Sequence, residues 1–320
     1  VKILYGDGFF ETITMKIAII GLGGVGGYYG GKLAQLMDSN QDLQVYFVAR
    51  GAHLHAMRQS GLQLKLAEDG KTHIIYPTDT LMSISELPIV DLVLIAVKSY
   101  DLEEVVVQLK DKIHSKTEIL PLLNGVGIYE RVRAILPDAI IYPACIYILS
   151  WIEKPGVVVE TGGSPKLIFG PDLKHPAHLP DQWTALLHQA NVRYVFTKNH
   201  LKEIWTKYMY IAPYALVTAR YNQTVGQVYE GEKTSQAILG IMREIEQIAC
   251  HLGIQLDEDV VERSFHLAKK FDYHATTSFQ RDYLQKEKKN EKELFGKAIL
   301  DYGVKLGITT PVTKEIYEAL

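Results

Sequence analysis

One short stretch narrows the folds open to this chain more than any other. Gly21-Leu22-Gly23-Gly24-Val25-Gly26 follows directly on the run Lys16 to Ile20 and leads into a helical pattern from Tyr28 to Met37. The run before it reads as a strand buried on both faces, as a parallel sheet requires. Glycines at 21, 23 and 26 make a G-x-G-x-x-G spacing. In a strand–turn–helix context the first permits the tight turn, the second lets backbone approach a pyrophosphate, and the third lets helix and strand pack closely. The helix N-terminus adds unpaired N–H groups and a positive dipole end. The alternative is a glycine-rich turn that holds no ligand.

The rest of the N-terminal half agrees with this. Leu43 to Val48, Val90 to Val97 and Ile119 to Leu123 are further apolar strands, and Leu102 to Ile113 is amphipathic. Leu62 to Leu66 and Thr72 to Tyr76 flank Asp69-Gly70 as a hairpin. Such alternation predicts an α/β fold, a Rossmann-type doubly wound parallel sheet. Ile141 to Gly170 lacks a helical period and is expected to add antiparallel strands that close the sheet edge. Asn191 to Phe196 reads as one more strand. From Asn199, a plausible helix N-cap, the pattern to Leu320 is almost wholly helical. The expected division is an N-terminal extension at 1–14, a dinucleotide-binding domain at 15–197 and an all-helical domain at 198–320. A length of 320 residues suits two domains.

Bulk properties exclude several partners. The chain is 47% hydrophobic and 22% charged, with net charge -3. Its pI near 6.4 leaves no strongly basic surface for nucleic acid. No apolar run approaches the ~20 residues of a membrane span. Val1 to Thr14 precedes Met15 and lacks the apolar core of a secretory signal. Cys145 and Cys250 form no C-x-x-C or metal spacing, so a reduced, cytoplasmic setting is expected and no metal. His53 and His55 form H-x-H without a third ligand and read as a solvated helix start. Lys286 to Lys292 is a charge run on a solvated loop or helix face. The aromatics of residues 199–320 are either core or the interface of a homodimer.

Polar residues directly after apolar strands mark the ligand side of an open α/β sheet. The second strand ends Val48-Ala49-Arg50, with no acid to meet a free ribose hydroxyl. A guanidinium there suits a 2′-phosphate, hence NADPH; a plain surface arginine is the alternative. Lys98 follows Ile95-Ala96-Val97 and Asn124 follows Leu122-Leu123. Both can reach a nicotinamide or a substrate, or can be a capping lysine and an ordinary Asn-Gly turn. In the helical part, Lys207, Ile211 and Ala215 share one face, otherwise apolar. Lys207 is then either a partly buried proton donor or a lysine snorkelling to solvent.

Together these residues resemble the ketopantoate reductase (2-dehydropantoate 2-reductase) family. The likeness runs from Met15 to the C-terminus. It rests on GLGGVGG at 21–27, AVKSYD at 96–101, LLNGVG at 122–127, EIWTKY at 203–208, TSFQRD at 277–282 and GITTPVTKEIYEAL at 307–320. The resemblance implies an NADPH-dependent reduction of ketopantoate to pantoate, in pantothenate and coenzyme A synthesis. It implies that residues 21–26 and Arg50 hold NADPH and that Lys98 and Asn124 serve cofactor and substrate. Lys207 becomes the general acid and Ser278 a ligand of the substrate carboxylate. Two departures bear on the substrate. Ile211 and Ala215 stand where the family usually has asparagines, and Asn290, with Glu291 beside it, where it has a glutamate. Asn290 and Glu291 are therefore candidate substrate ligands, with Tyr210 and Tyr214 as further polar candidates. A 2-keto acid other than ketopantoate, or a non-catalytic NADPH sensor, are the competing readings.

Overall fold

The run before the glycine turn forms β1 (Met15–Ile20), whose last four residues are wholly buried. In the computed structural model, which describes residues 15–285 and 289–320, the chain divides into two compact units. One takes the chain to Leu123 and again from Ile128 to Lys198; the other comprises Asn124–Gly127 and Asn199–Leu320. The 1–14 extension and part of the 286–292 charge run lie outside the described residues.

In the first unit β1 leads to α1 (Gly24–Ala34), β2 (Leu43–Val48), α2 (Gly51–Ser60), β3 (Leu62–Lys65), β4 (Thr72–Ile75) and β5 (Asp79–Leu81). Then come β6 (Val90–Ile95), α3 (Leu102–Gln108), β7 (Ile113–Pro121), α4 (Ile128–Ile135) and β8 (Ile140–Ile141). β9 (Ala144–Tyr147), β10 (Ser150–Lys154), β11 (Val157–Glu160), β12 (Lys166–Phe169), α5 (Asp181–Gln189) and β13 (Tyr194–Phe196) complete it. The main sheet has the order β5-β2-β1-β6-β7-β8, and every neighbouring pair is parallel. The order reverses between β1 and β6, the switch point beside which such sheets bind ligands. This is the Rossmann-type fold expected.

The region 141–170 departs from expectation. Its strands do not close the main sheet, whose edge is the parallel β8. β10 and β11 join the predicted hairpin β3–β4 in a second sheet of order β10-β11-β3-β4, and β11 lies parallel to β3. β9, β12 and β13 form a third sheet. The cause lies in α1, whose residues 26–34 are all buried. A Cβ at Gly30 would press on Ile19 and Phe47 of the main sheet, while one at Gly27 or Gly31 would press on Val158 or Leu64 of the second. A helix buried all round needs apolar cover on two sides, and the hairpin with β10–β11 supplies the second.

A buried carboxylate ties the last strands to α4. Asp172, with no exposed surface, accepts from Arg133 at 2.6 Å, Tyr129 at 2.7 Å and the Ile141 amide at 3.2 Å, and pairs with His175 at 2.7 Å. Burial alone would raise its pKa, but bonds from His175, Tyr129, Arg133 and the Lys174 amide hold it down at about 2. A folded-state pKa below the ordinary 3.8 contributes stability that is full above the unfolded value and lost as pH falls from about 4 through about 2. Asp172→Asn is expected to destabilise this unit by about 3 kcal/mol at pH 7, because it leaves the partly buried Arg133 guanidinium without its counter-charge. Urea unfolding of both proteins checks this, and the gap between them should narrow as pH drops towards 2.

The second unit is helical: α6 (His200–Tyr221), α7 (Val225–Glu230), α8 (Glu232–His251), α9 (Val260–His266), α10 (Ser278–Tyr283), α11 (Ala298–Leu306) and α12 (Pro311–Glu318). A π-helical turn, Glu293–Lys297, runs directly into α11. α6 packs on α8, α9 and α10 and is the central element. α8 buries Ile238, Ile241, Met242, Ile245 and Ile248 at helical spacing. Its buried Glu244 caps α12, accepting from the Val312 amide at 2.7 Å and the Thr313 amide at 3.0 Å. Among the described residues no helix is long and apolar enough to cross a membrane, and no cluster of His, Cys, Asp or Glu is placed to hold a metal ion.

Candidate active site

In the first unit the glycine turn joins β1 to α1. Gly21 has φ +90°, a conformation that L side chains rarely adopt. A Cβ there would also lie 2.8 Å from the Ala96 carbonyl oxygen, so the turn and the end of β6 touch backbone to backbone. A Cβ on Gly26 would strike the carbonyl oxygen of Gly21 itself. Gly23 is different: it is the N-cap of α1, with φ -69°, and no side chain caps the helix there. A Cβ at Gly23 would meet nothing within 4 Å. Two glycines of the motif are therefore explained by the protein's own packing, and the third is not. Open space beside uncapped helical N–H groups fits a bound pyrophosphate.

Arg50 is the N-cap residue of α2, two residues beyond Val48, whose carbonyl accepts the Gly21 amide at 3.1 Å. The pairing of β1 with β2 thus sets Arg50 beside the glycine turn. Its side chain is 65% exposed and its guanidinium lies 4.0 Å from Asp101, beyond hydrogen-bond range. Lys98 caps the short helical turn Ser99–Asp101 after β6. Arg131 braces this turn, donating to the Ser99 carbonyl at 2.6 Å while it pairs with Glu103.

His53, expected at a solvated helix start, is partly buried instead. Its Nδ1 accepts the Gly156 amide at 2.9 Å, and burial holds its pKa below the ordinary range against the pull of the Leu22 backbone. It ties the first turn of α2 to the β10–β11 turn. Its place near Leu22 depends on strand pairings absent from local sequence.

In the second unit, Lys207 and Asn124 meet. Lys207 lies on the inner face of α6 and is 9% exposed, so it is buried and does not snorkel. Its Nζ donates to Asn124 Oδ1 at 2.6 Å. Asn124 is held by Gly125, whose φ of +103° turns the chain, and a Cβ on Gly125 would strike Leu294 of the π turn. An ammonium aimed by a fixed amide oxygen in a largely dry setting is equipped to stabilise and protonate a developing oxyanion.

The other predicted residues are arranged less directly. Ser278 is exposed in the first turn of α10. Thr277 caps that helix, accepting from the Gln280 amide and pairing with Thr218 at 3.0 Å. Asn290 uses its side-chain oxygen locally, accepting the Lys292 amide at 3.0 Å. Glu291 is buried and its carbonyl accepts the Phe295 amide. Ala215 is buried and Ile211 partly so. Sequence reasoning passed over Tyr208 and the π turn, for which the continuous helical period through 291–306 carries no signal.

Comparison with known proteins agrees with both halves. A family model described as ketopantoate reductase PanE/ApbA matches residues 17–173, and its C-terminal counterpart matches residues 199–320. An uncharacterized oxidoreductase of Bacillus subtilis, YkpB, is 26% identical over 96% of this chain and 98% of its own length. A solved 2-dehydropantoate 2-reductase from Porphyromonas gingivalis is 28% identical, with a TM-score of 0.79 over 95% of this chain and 98% of its own. A ketopantoate reductase structure from Ralstonia eutropha superposes with a TM-score of 0.84 at 25% identity, covering 95% and 96% of the two chains. The glycine turn at a parallel switch point, the buried lysine at the entry to a helical unit and the two family matches have one reading: the chain is an oxidoreductase of the ketopantoate reductase family.

Proposed function

We propose that this protein is an NADPH-dependent 2-keto acid reductase whose substrate is 2-dehydropantoate, reduced to pantoate. The observation that carries the proposal is the partly buried hydrogen bond from Lys207 to Asn124 at 2.6 Å. A sensor needs a dinucleotide turn but not an aimed ammonium. Bound at the glycine turn, the nicotinamide dinucleotide supplies a hydride for the keto carbon. Lys207 holds the carbonyl oxygen and gives it a proton as charge develops. Asn124 fixes the direction of the ammonium. The amides at residues 23–26 hold the pyrophosphate, with Leu22 and Val25 completing the turn, and Arg50 receives the 2′-phosphate. Lys98 lies on the same ligand side of the sheet. Ser278, Asn290 and Glu291 are proposed to contact the substrate, with Ser278 at its carboxylate. Neither Cys145 nor Cys250 is joined in a disulfide, which suits the reduced cytoplasm.

Steady-state oxidation of NADPH with a panel of 2-keto acids tests the proposal. Preferred turnover of ketopantoate supports it; tight NADPH binding with no turnover of any member sinks it. A second reading, another and less polar 2-keto acid, is favoured by one observation: Ile211 and Ala215 make the face beside Lys207 apolar. Higher kcat/KM for a branched or aromatic keto acid would establish it. Arg50→Ala tests the dinucleotide separately. Loss of a charge-assisted contact to a phosphate is expected to raise the KM for NADPH roughly 10- to 100-fold and leave that for NADH unchanged. Equal effects on both would remove Arg50 from the 2′-phosphate.

A further inference from the structure

We infer that Tyr208 is a positioning residue for the Lys207–Asn124 pair, acting through the π turn at Glu293–Lys297; this rests on the reductase reading above. Tyr208 follows Lys207 on α6 and is 1% exposed. Its hydroxyl carries one hydrogen and faces two acceptors, the carbonyl oxygens of Leu294 at 2.8 Å and Phe295 at 3.1 Å. Both belong to the π turn. Where a five-apart hydrogen-bond pattern passes into the four-apart pattern of α11, backbone carbonyls fall out of register with their donors. In a buried place such a group must find another donor. Tyr208 provides it.

What the π turn does follows from its neighbours. Leu294 fills the space that a side chain on Gly125 would need, so the π turn abuts the residue after Asn124. Phe295 packs edge-to-face on Phe279 of α10 at 5.5 Å, the helix that begins with Ser278. The Phe295 amide closes back on the Glu291 carbonyl at 3.2 Å. On the other flank Trp205 packs on Tyr208 at 6.2 Å and on Tyr302 at 5.5 Å, and the Tyr302 hydroxyl oxygen lies 3.3 Å from where a Cβ on Gly127 would be. One helical stretch, Trp205 to Tyr208, therefore carries the ammonium and, through Leu294 and Tyr302, also braces the turn 125–127 that follows its acceptor. Removing the Tyr208 hydroxyl leaves two buried carbonyls without this donor. The π turn then relaxes towards a regular helix, which moves Leu294 relative to Gly125 and loosens Asn124.

Tyr208→Phe tests this against Thr234→Val. Thr234 is also buried, and its hydroxyl also faces two carbonyls, of Val228 at 2.8 Å and Gly231 at 3.0 Å, at the junction of α7 and α8. Both variants should lower the melting temperature. Only Tyr208→Phe should speed amide hydrogen exchange at 124–127 and 291–298. Only it should lower kcat, by about tenfold, the scale of one lost buried hydrogen bond, with dinucleotide affinity unchanged. Its effect on kcat should be less than additive with Asn124→Ala, since both act on the same ammonium. Unchanged exchange at 124–127, additive kcat effects, or an equal kcat loss in Thr234→Val overturns the inference. If Tyr208→Phe does not fold, Leu294→Ala reaches the same turn from the Gly125 side and must speed exchange at 124–127. If the wild type reduces no 2-keto acid, the functional reading fails while the exchange comparison still decides the role of Tyr208.

Discussion

Lys207→Ala is expected to lower kcat by about a thousandfold while NADPH binds as before. The size follows from combining two roles in one group. General-acid transfer contributes typically 10²- to 10⁴-fold, and a fixed donor aimed at a developing oxyanion contributes on a similar scale. The two overlap in a single ammonium, so their product is an overestimate and the middle of the range is the expectation. Nucleotide affinity should hold because the glycine turn and Arg50 belong to the other compact unit. Lys207→Arg should recover little. A guanidinium keeps the charge but does not release its proton near neutral pH, and its planar fork does not fit the single Asn124 oxygen as an ammonium does. Stopped-flow single turnover, with nucleotide affinity from fluorescence titration, separates the two steps. A loss below about threefold in Lys207→Ala would falsify the assignment of Lys207 as the acid, since no general-acid role is that small.

The parts of this molecule legible in sequence were those written in short-range pattern. Strand β1, the glycine turn and the start of α1 are contiguous, and their order alone implied a parallel sheet. The helical face of Lys207 followed from spacing of four, although spacing could not choose between burial and snorkelling. That choice depended on Asn124, 83 residues away along the chain. The placement of 141–170 is not legible for the same reason. An antiparallel hairpin pattern says how β10 and β11 pair with each other, and nothing of β11 lying beside β3. The information lay in α1, whose glycines at 27, 30 and 31 leave both flanks open to close packing, but a glycine-rich helix does not say in sequence what covers it. His53 and Tyr208 were illegible at a deeper level. Each acts on backbone atoms of a distant segment, and backbone atoms have no sequence signature.

Gly23→Ala and Gly26→Ala should part company, and the difference between them isolates ligand binding from packing. At Gly26 a methyl group would strike the Gly21 carbonyl oxygen, so the turn must shift; overpacking of this kind costs about 1–3 kcal/mol. That variant is expected to melt lower by several degrees and to lose dinucleotide binding as a consequence. At Gly23 the backbone sits at φ -69°, ψ -165°, which alanine adopts without strain, and the methyl meets no protein atom within 4 Å. Its stability should stay within about 1 kcal/mol of wild type, the scale of a Gly-to-Ala change at a helix N-cap. Yet the methyl would stand in the space where a pyrophosphate must approach the N–H groups of α1. Dinucleotide affinity should therefore fall about 100-fold, the equivalent of roughly 3 kcal/mol of phosphate contacts. Calorimetric titration with NADPH, beside thermal melts of the apoprotein, reads both quantities. Undiminished affinity in a well-folded Gly23→Ala protein means that the dinucleotide does not approach the backbone at Gly23. The glycine turn then returns to its plainest description, a close-packed connection between a strand and a helix.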